Sequence, residues 1–482
     1  MSTEANADKK SEQKKQQPAK FLTGSTMGHV VTMTVTSSVG LVALFAVDAL
    51  NLLYISMLGQ KELAAAIGYA GTVMFFMVSL SIGMAIATGA TVAKALGQGN
   101  RERARNLAGA SVAFCVVVMV LTSAVAFPFL RAASRLLGAT GETADIATRF
   151  LSIVAPTLPL LAMGMALGGV LRALGDAKRA MYVTLFGGFV SAVLDPLFIF
   201  GLDLGIDGAA YATVISRAVL AGYGFYSVIK HHDMLAMPDM PHMKEALQPF
   251  ATIGVPAILT QLATPVGNAY VTNAFSNYGD DAVAGWAVVG RLMPLAFGVI
   301  FALSGAVGPI IGQNFGAGNR ERVLDALKDA LIFTLIYVVL IWIVLALFRT
   351  QIADAFGATG EARTLIEFFC LFVAGTFLFN GALFVANAAF NNLGFALYST
   401  VFNWGRATVG VVPVVWIGGH LYGAVGVLAG WGLGALVFGV VGVLVAFRVT
   451  AKMEMGEPTD VAPAAPASAS SPFSSGKSAG LH

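Results

Sequence analysis

Long apolar runs separated by short polar segments account for most of this sequence. The runs reach about 20 residues or more, the length that an α-helix needs to cross a hydrocarbon core of about 30 Å. The pattern therefore predicts an all-α polytopic membrane protein. The twelve predicted transmembrane helices, TM1 to TM12, cover residues 29–55, 63–88, 107–130, 147–171, 180–201, 208–229, 247–275, 283–309, 326–348, 364–388, 397–417 and 424–448.

The same pattern occurs twice along the chain. GQGNRERA at 97–104 returns as GAGNRERV at 316–323, and LGATGE at 137–142 returns as FGATGE at 356–361. Both matches have the same offset, 219 residues. A constant offset over separate motifs indicates an internal duplication.

The duplication divides the chain into an N-lobe of TM1 to TM6 (29–230) and a C-lobe of TM7 to TM12 (247–448). Because six is an even number, both six-helix bundles enter the membrane in the same direction, and a pseudo-twofold axis along the membrane normal relates them. The polar segments outside the lobes are predicted to be a cytoplasmic N-terminal tail (1–28), a cytoplasmic linker (231–246) and a cytoplasmic, disordered C-terminal tail (449–482).

Lysine and arginine are unevenly distributed among the polar segments. The chain is 57% hydrophobic and 11% charged, against about 25% charged residues in soluble domains. With the N-terminus placed inside, 20 Lys and Arg residues fall on the cytoplasmic side and 6 on the outer side. The positive-inside rule then places both termini in the cytoplasm, and we expect a multi-pass protein of a bacterial inner membrane.

The repeated glycine-asparagine-basic phrase falls on the cytoplasmic side of each lobe. Gly97 and Gly99, like Gly316 and Gly318, are expected to permit a tight turn, and the arginines that follow hold this turn on the positive side. We interpret the phrase as a mark of topology and not as a phosphate-binding loop. The sequence contains no Walker A motif, which disfavours ATP-driven transport. It also contains no recognisable metal-binding motif and no Ser/His/Asp or Cys/His catalytic set, which disfavours enzymatic chemistry.

Two acidic residues lie deep inside predicted spans, Asp48 in TM1 and Asp195 in TM5. An ionised carboxylate is costly there and usually faces a cavity or an ion pathway, so each is a candidate proton carrier or oxygen ligand for Na⁺. Ser191 lies one turn before Asp195 on the same helical face, and Pro196 frees the carbonyl of Ala192 because it cannot donate an N–H. These groups fit H⁺ and Na⁺ equally well.

The C-lobe carries no matching acids. Asn268 occupies the position equivalent to Asp48, and Val415 or the nearby Pro413 occupies the position equivalent to Asp195. The coupling chemistry is therefore predicted to belong to the N-lobe alone. Three basic residues also lie inside spans, where they are expected to pair with helix ends or to line the cleft: Arg217, Arg291 and Arg406.

In both lobes the sequence resembles the multidrug and toxic compound extrusion (MATE) family. The resemblance rests on VDALNLLYISMLGQKELAAAIG in TM1 and TM2, ALGQGNRERA and its copy, LRALGDAKRAM after TM4, and VLDPLFIFGLDLGIDGAAYAT in TM5 and TM6. It implies a V-shaped pair of six-helix bundles that exports organic, often cationic, compounds in exchange for H⁺ or Na⁺.

The resemblance is to the DinF-like branch of that family. The acidic residues that the NorM-like branch carries in TM7 and TM10 are replaced here by Thr264 and Asn380. The resemblance implies an ion-coupling set made of Asp48, Asp195, Ser191 (where the branch has asparagine) and Thr213. The helix-1 proline that the family often has is absent from 29–55, which leaves Gly40 as the flexible point before Asp48.

The expected function is secondary active multidrug efflux, by an antiporter and not an enzyme, which exports lipophilic cations in exchange for H⁺ or Na⁺ by alternating access. The substrate cavity is expected to include Asp48, Asn51, Asp195, Asn268, Arg291 and Asn380. No cofactor or bound metal is expected beyond the coupling ion, and Na⁺ would be held by the four coupling residues. The expected partners are small-molecule substrates and membrane lipid, without nucleic acid, and the chain is expected to act as a monomer.

Two other functions stay open at this point. A flippase for lipid-linked precursors, from the same superfamily, would share the two lobes but would need a strongly basic central cavity for a diphosphate. An intramembrane transferase would need clustered acids for a metal-bound diphosphate, or a catalytic set at a membrane face. The two deep acids on separate helices fit the transferase poorly.

Overall fold

The computed structural model describes residues 19–57 and 61–453, which form helices joined by short turns and contain no strand. The α-helices, numbered in chain order, are α1 (Thr26–Met57), α2 (Lys61–Gly97), α3 (Arg101–Ala126), α4 (Leu130–Leu136), α5 (Gly141–Val154), α6 (Leu158–Ala173), α7 (Ala177–Pro196), α8 (Gly205–Tyr226), α9 (Met240–Ser276), α10 (Asp280–Gly316), α11 (Arg320–Leu347), α12 (Arg349–Ala355), α13 (Gly360–Phe368), α14 (Phe377–Leu393), α15 (Ala396–Gly405), α16 (Val411–Leu433) and α17 (Leu436–Lys452). Within the described ranges, π-helical segments extend or join them at Leu197–Gly201, Ser227–His232, Phe369–Val373 and Arg406–Gly410.

These helices provide twelve membrane crossings. Among the described residues, eleven helical stretches are long and apolar enough to cross a membrane, and one of them, Ala396–Lys452, has 57 residues. The backbone leaves helical geometry inside that stretch at Tyr422 and Gly423, and the φ of 61° at Gly423 is one that glycine adopts freely. The chain turns back there, so the stretch crosses twice. The predicted all-α architecture of two six-helix bundles is confirmed.

TM4 and TM10 are each interrupted by a 3-10 turn well inside the predicted span. TM4 consists of α5 and α6 with a 3-10 turn at Ala155–Thr157, where Pro156 cannot donate a backbone hydrogen bond. TM10 consists of α13 and α14, joined through π-helical and 3-10 turns. At this joint Gly375 lies under the Trp342 ring, which would be 2.8 Å from an added Cβ atom. The apolar pattern did not predict either break.

The repeated phrase forms the same turn in each lobe. Gly99 and Gly318 adopt φ values of 70° and 73°, in the left-handed region that favours glycine. Asn100 and Asn319 then cap the following helices, because each side-chain oxygen accepts a hydrogen bond from the backbone N–H three residues later, at 2.8 and 3.1 Å. The predicted tight turn is confirmed for these two glycines.

The other two glycines of the phrase join the lobes. Gly97 and Gly316 are the last residues of α2 and α10, and neither has a positive φ. An added Cβ on Gly97 would lie 2.7 Å from the carbonyl carbon of Gln313, and one on Gly316 would collide with the carbonyl oxygen of Lys94. Gly97 and Gly316 are equivalent positions of the repeat, and so are Lys94 and Gln313. The two contacts are therefore related by the twofold axis. The expectation that Gly97 and Gly316 serve the turn was wrong, since their missing side chains let α2 and α10 touch.

The segment before α1, residues 19–25, bridges the two lobes at the same end, and we call it the strap. The strap's Lys20 Nζ donates to the carbonyl of Gly175 in the N-lobe at 2.7 Å. The backbone N–H of Phe21 donates to Gln313 Oε1 in the C-lobe at 2.8 Å, and Arg322 Nη2 donates to the Phe21 carbonyl at 2.9 Å. The Phe21 ring is fully buried, so the strap is part of the packed contact between the lobes.

The lobes meet at the end of the bundle that carries both described termini and separate toward the other end. Deep in the contact, an added Cβ on Gly83 of α2 would lie 2.6 Å from the backbone N of Ile258 in α9. Farther along, the rings of Phe45 in α1 and Phe301 in α10 meet edge to face at 6.3 Å. Beyond this pair, no hydrogen bond, ion pair or ring contact joins the described residues of the two lobes. The contacts between the lobes thus lie toward the terminal end of the bundle, and from this we infer a cleft that opens away from the termini.

Candidate functional site

Asp48 lies at the floor of this cleft. It follows Phe45 by three residues on α1 and therefore shares a helical face with it. Phe45 contacts the C-lobe, whereas Asp48 is exposed. Asp48 thus lies just past the Phe45–Phe301 contact between the lobes, and the residue is exposed.

Asp195 is fully buried near the end of α7. Ser191 Oγ, one turn earlier, donates a hydrogen bond to Asp195 Oδ2 at 3.0 Å. The second oxygen, Oδ1, is buried without a hydrogen-bond partner among the described residues. A buried acceptor without a donor is costly, so this atom is suited to receiving a proton or a cation.

Close packing of α1 on α7 places the two carboxyl groups on adjoining helices. Val47, the neighbour of Asp48, approaches Gly188 of α7, where an added Cβ would lie 3.7 Å from Val47 Cγ2. At Gly40 the helices are closer still, since an added Cβ would lie 3.0 Å from the Met181 carbonyl oxygen. The helix α1 is continuous through Gly40 in this conformation, and this glycine is needed for packing against α7.

The other residues predicted for the N-lobe are arranged differently. Asn51 Oδ1, one turn beyond Asp48, is buried without a partner among the described residues. Thr213 Oγ1 donates to the carbonyl of Ala209 within its own helix at 2.9 Å and makes no direct hydrogen bond to either carboxyl group. Among the residues predicted for this site, Asp195 and Asn51 thus each offer an unpartnered oxygen, while the structure leaves Thr213 outside the hydrogen-bonded group.

The residues predicted for the C-lobe side of the cavity do not join the carboxyl pair. Asn268 on α9 and Arg291 on α10 are exposed, and no described group forms an ion pair with Arg291. Asn380 on α14 is 6% exposed and lies inside the C-lobe. These side chains belong to the opposite wall of the cleft or to the lobe behind it.

Sequence reasoning missed a basic residue between the lobes. Arg172 lies one residue past the predicted end of TM4 at residue 171, where it counted among the cytoplasmic basic residues. In the structure it belongs to α6 and turns back along its own helix, since an added Cβ on Gly168 would lie 3.5 Å from its Nη1. Its Nε would lie 3.6 Å from an added Cβ on Gly305 of α10. The side chain donates no hydrogen bond to any described residue. The apolar residues around it in LRALG were the available signal.

The span arginines predicted to pair with helix ends behave in two ways. Arg217 Nη1 donates to the carbonyl of Val154 at 3.0 Å and to Thr157 Oγ1 at 2.9 Å, at the break in TM4, so the structural interpretation is confirmed for it. Arg406 has a buried Nε without a partner among the described residues. Arg406 therefore shows no helix-end pairing in the described part of the chain, and the other expected role, lining the cleft, stays a prediction for it.

A polar cluster at the terminal end of the N-lobe stabilises the start of α7. The Asp176 carboxylate caps this helix by accepting from the backbone N–H of Arg179 at 3.0 Å, and it also accepts from Arg179 Nη1 at 2.6 Å and His232 Nε2 at 2.8 Å. Burial alone would raise the pKa of Asp176, but these hydrogen bonds and the nearby Arg179 charge hold it well below its usual range. The cluster ties α7 to the end of α8 and has a structural role.

Comparisons with known proteins agree with this architecture. The MatE family model matches residues 30–197 and 256–417, one match in each repeat. The FAD transporter of Shewanella oneidensis is 27% identical over 414 residues, which cover 84% of this chain and 91% of the relative. The multidrug export protein MepA of Staphylococcus aureus (strain MRSA252) is 25% identical over 386 residues, with 79% of this chain and 84% of the relative covered.

Solved structures share the fold. A multidrug resistance MATE transporter of the MOP superfamily in its outward-facing conformation superposes with a TM-score of 0.85 at 23% identity, covering 90% of this chain and 98% of the other. A mutant of the Vibrio cholerae MATE transporter VcmN gives a TM-score of 0.85 at 24% identity, with 89% of this chain and 98% of the other covered.

Proposed function

The chain belongs to the MatE family of transporters, and on that premise we propose that it is a secondary active multidrug efflux antiporter. It exports lipophilic organic cations in exchange for H⁺ or Na⁺. The observation that carries this proposal is the N-lobe carboxyl pair, with Asp48 at the floor of the open cleft and Asp195 buried behind it with a free Oδ1. The relative MepA, a multidrug export protein, supports drug efflux as the direction and class of transport.

Ion binding and substrate binding compete for the carboxyl pair. Without a bound ion, the negative charge of Asp48 attracts a cation in the cleft, where the rings of Phe45 and Phe301 supply aromatic surface. A proton or Na⁺ at Asp195 Oδ1 gives that buried oxygen its missing partner and removes net charge from the pair. The substrate then loses its electrostatic attraction and leaves through the open end.

Return of the empty, ion-loaded carrier requires the opposite opening. The lobes rock about the cleft so that the terminal end separates and the other end closes, which is alternating access. We place both termini in the cytoplasm of a bacterial inner membrane, because the Lys and Arg residues concentrate at that end. The conformation described here would then be the outward-facing one, and a single chain contains both halves of the carrier.

The direct test is transport of a fluorescent lipophilic cation by the full-length chain in proteoliposomes, with pH and Na⁺ gradients imposed independently. Asp48→Asn and Asp195→Asn are expected to reduce gradient-driven transport at least tenfold, because each removes an ionisable carboxyl while keeping its shape. Asp280→Asn, which removes an exposed acid at the start of α10, is the matched control and should transport normally. Undiminished coupling in Asp48→Asn would show that the coupling assignment is wrong.

A second candidate is export of an organic anion such as a flavin dinucleotide. Two observations favour it: Arg172 lies between the lobes without a hydrogen-bond partner among the described residues, and one relative is an FAD transporter. An Arg guanidinium is well suited to a phosphate group. FAD counterflow in the wild type would establish this substrate if Arg172→Gln abolishes the counterflow and Arg172→Lys retains part of it. Cation transport without FAD counterflow would exclude it.

A further inference from the structure

Arg406 lies inside the C-lobe, at the start of the π-helical segment that follows α15. Isolated π-helical turns often occur at functional sites. The residues beside it are fixed by close contacts, since Gly405 packs on the ring of Phe438 in α17 and Ala407 packs on Gly267 in α9. These contacts occupy two faces of the segment. The remaining face carries the Arg406 side chain toward the interior of the lobe.

The charge of Arg406 has no partner in the described part of the chain. Its Nε is buried without a hydrogen-bond acceptor, and none of its nitrogens donates to a described residue or forms an ion pair with a described carboxylate. Arg217 in the N-lobe, by contrast, has two acceptors within 3.0 Å. An uncompensated charge at membrane depth is costly. Arg406 is half-buried as a residue, so its side chain can be reached from open space.

A second unpartnered donor lies on the neighbouring helix. Asn403 Nδ2 in α15 donates to Asn387 Oδ1 in α14 at 3.1 Å, so these two residues lie at the same height along the two helices. Arg406 lies three residues, about 5 Å, beyond Asn403, and Asn380 lies seven residues, about 10 Å, from Asn387. Both lie toward the open end because the two helices are antiparallel. Asn380 is 6% exposed as a residue, and its side-chain amide makes no hydrogen bond with a described residue.

We propose that Arg406 and Asn380 form an anion-binding site inside the C-lobe. The guanidinium group supplies the positive charge and the directed N–H donors, and the Asn380 amide supplies another donor. The ligand is an anionic group, either chloride or the phosphate group of a substrate. The site gives the C-lobe a polarity opposite to that of the N-lobe carboxyl pair. It does not depend on ion coupling at Asp48 or Asp195.

The test is an equilibrium measurement, so it does not require transport. The purified full-length protein is unfolded thermally in sodium gluconate, with chloride or inorganic phosphate substituted at constant ionic strength. Wild-type protein is expected to show a saturable rise of the unfolding temperature with one of the two anions, because a ligand that binds only the folded state stabilises it. A rise with chloride identifies an inorganic anion, and a rise with phosphate identifies a phosphorylated substrate. No saturable rise with either anion would overturn the proposal.

Substitutions then locate the site. Arg406→Gln is expected to weaken the anion affinity by about tenfold or more, since it removes a charge-assisted contact, and Arg406→Lys should lose less because it keeps the charge. Asn380→Leu should weaken binding by a smaller factor. Arg349→Gln removes one positive charge from a helix end of the same lobe and should leave the affinity unchanged. If wild type, Arg406→Lys and Arg406→Gln bind the anion with equal affinity, the assignment is overturned. If Arg406→Gln fails to fold, the comparison of wild type with Arg406→Lys takes its place.

Discussion

The glycine contact between α2 and α10 gives the sharpest prediction about conformational equilibrium. In Gly97→Ala the new methyl group would lie 2.7 Å from the carbonyl carbon of Gln313 and closer to its oxygen. Carbon atoms in contact normally lie about 3.5–4.0 Å apart, so the two helix ends must separate by about 1 Å. The obstacle is backbone, and no side-chain rotation can relieve it.

The size of the effect follows from the cost of overpacking. Extra methyl groups in a well-packed contact cost about 1–3 kcal/mol, which corresponds to roughly a 5- to 150-fold change in a conformational equilibrium. Because the contact joins the lobes and lies outside their separate cores, Gly97→Ala should destabilise the closed terminal end and leave each lobe folded. Gly316→Ala should act in the same direction, since it makes the reciprocal contact.

The assay is a distance measurement between spin labels at Glu102→Cys and Glu321→Cys, which are equivalent exposed positions on the two lobes. The native Cys115 and Cys370 are buried and should remain unlabelled. Gly97→Ala is expected to populate a longer distance than wild type. The matched control is Gly71→Ala in the same helix, where an added Cβ would meet no atom within 4 Å. If the glycine 97 variant gives the same distances as this control, the reasoning from contact geometry is refuted.

Three further predictions concern the strap, the carboxyl pair and the terminal cluster. Phe21→Ala removes a fully buried ring that bridges the lobes and should lengthen the spin-label distance between positions 102 and 321. If that distance is unchanged, the strap does not help to close the terminal end. Ser191→Ala removes the hydrogen bond from Ser191 to Asp195 and should slow gradient-driven transport several-fold, and Ser191→Thr should restore it. Equal rates in wild type and Ser191→Ala would remove Ser191 from the coupling set. Asp176→Asn should lower stability by about 2 kcal/mol at neutral pH because charged hydrogen bonds are lost. Since folding depresses the pKa of Asp176, its contribution is present above the ordinary carboxyl range and is lost as the pH falls toward the depressed value. Thermal unfolding of both proteins from pH 3 to pH 7 checks this, and a difference that stays constant with pH would contradict it.

Most of the candidate N-lobe site could be found from the sequence because buried charge is rare in apolar spans. Asp48 and Asp195 stand out against their neighbours. The spacing placed Ser191 and Asp195 on one helical face, and the structure adds the hydrogen bond between them. Thr213 entered through the family resemblance, and its hydroxyl bonds its own helix. Arg172 was missed because a residue near a span end can lie in a loop or turn back into the membrane, and only packing distinguishes the two.

The sequence by itself determined the number of crossings, the duplication and the turn of the repeated phrase. Each of these depends on local rules: a helix must satisfy its own backbone within lipid, and glycine followed by an asparagine cap specifies a turn whatever surrounds it. Only the tertiary structure decided that Gly97 meets Gln313, that the lobes close at the strap and open at the other end, and that Arg406 has no partner among the described residues. These features depend on how closely segments far apart in the sequence approach each other, and a local pattern carries no information about that distance.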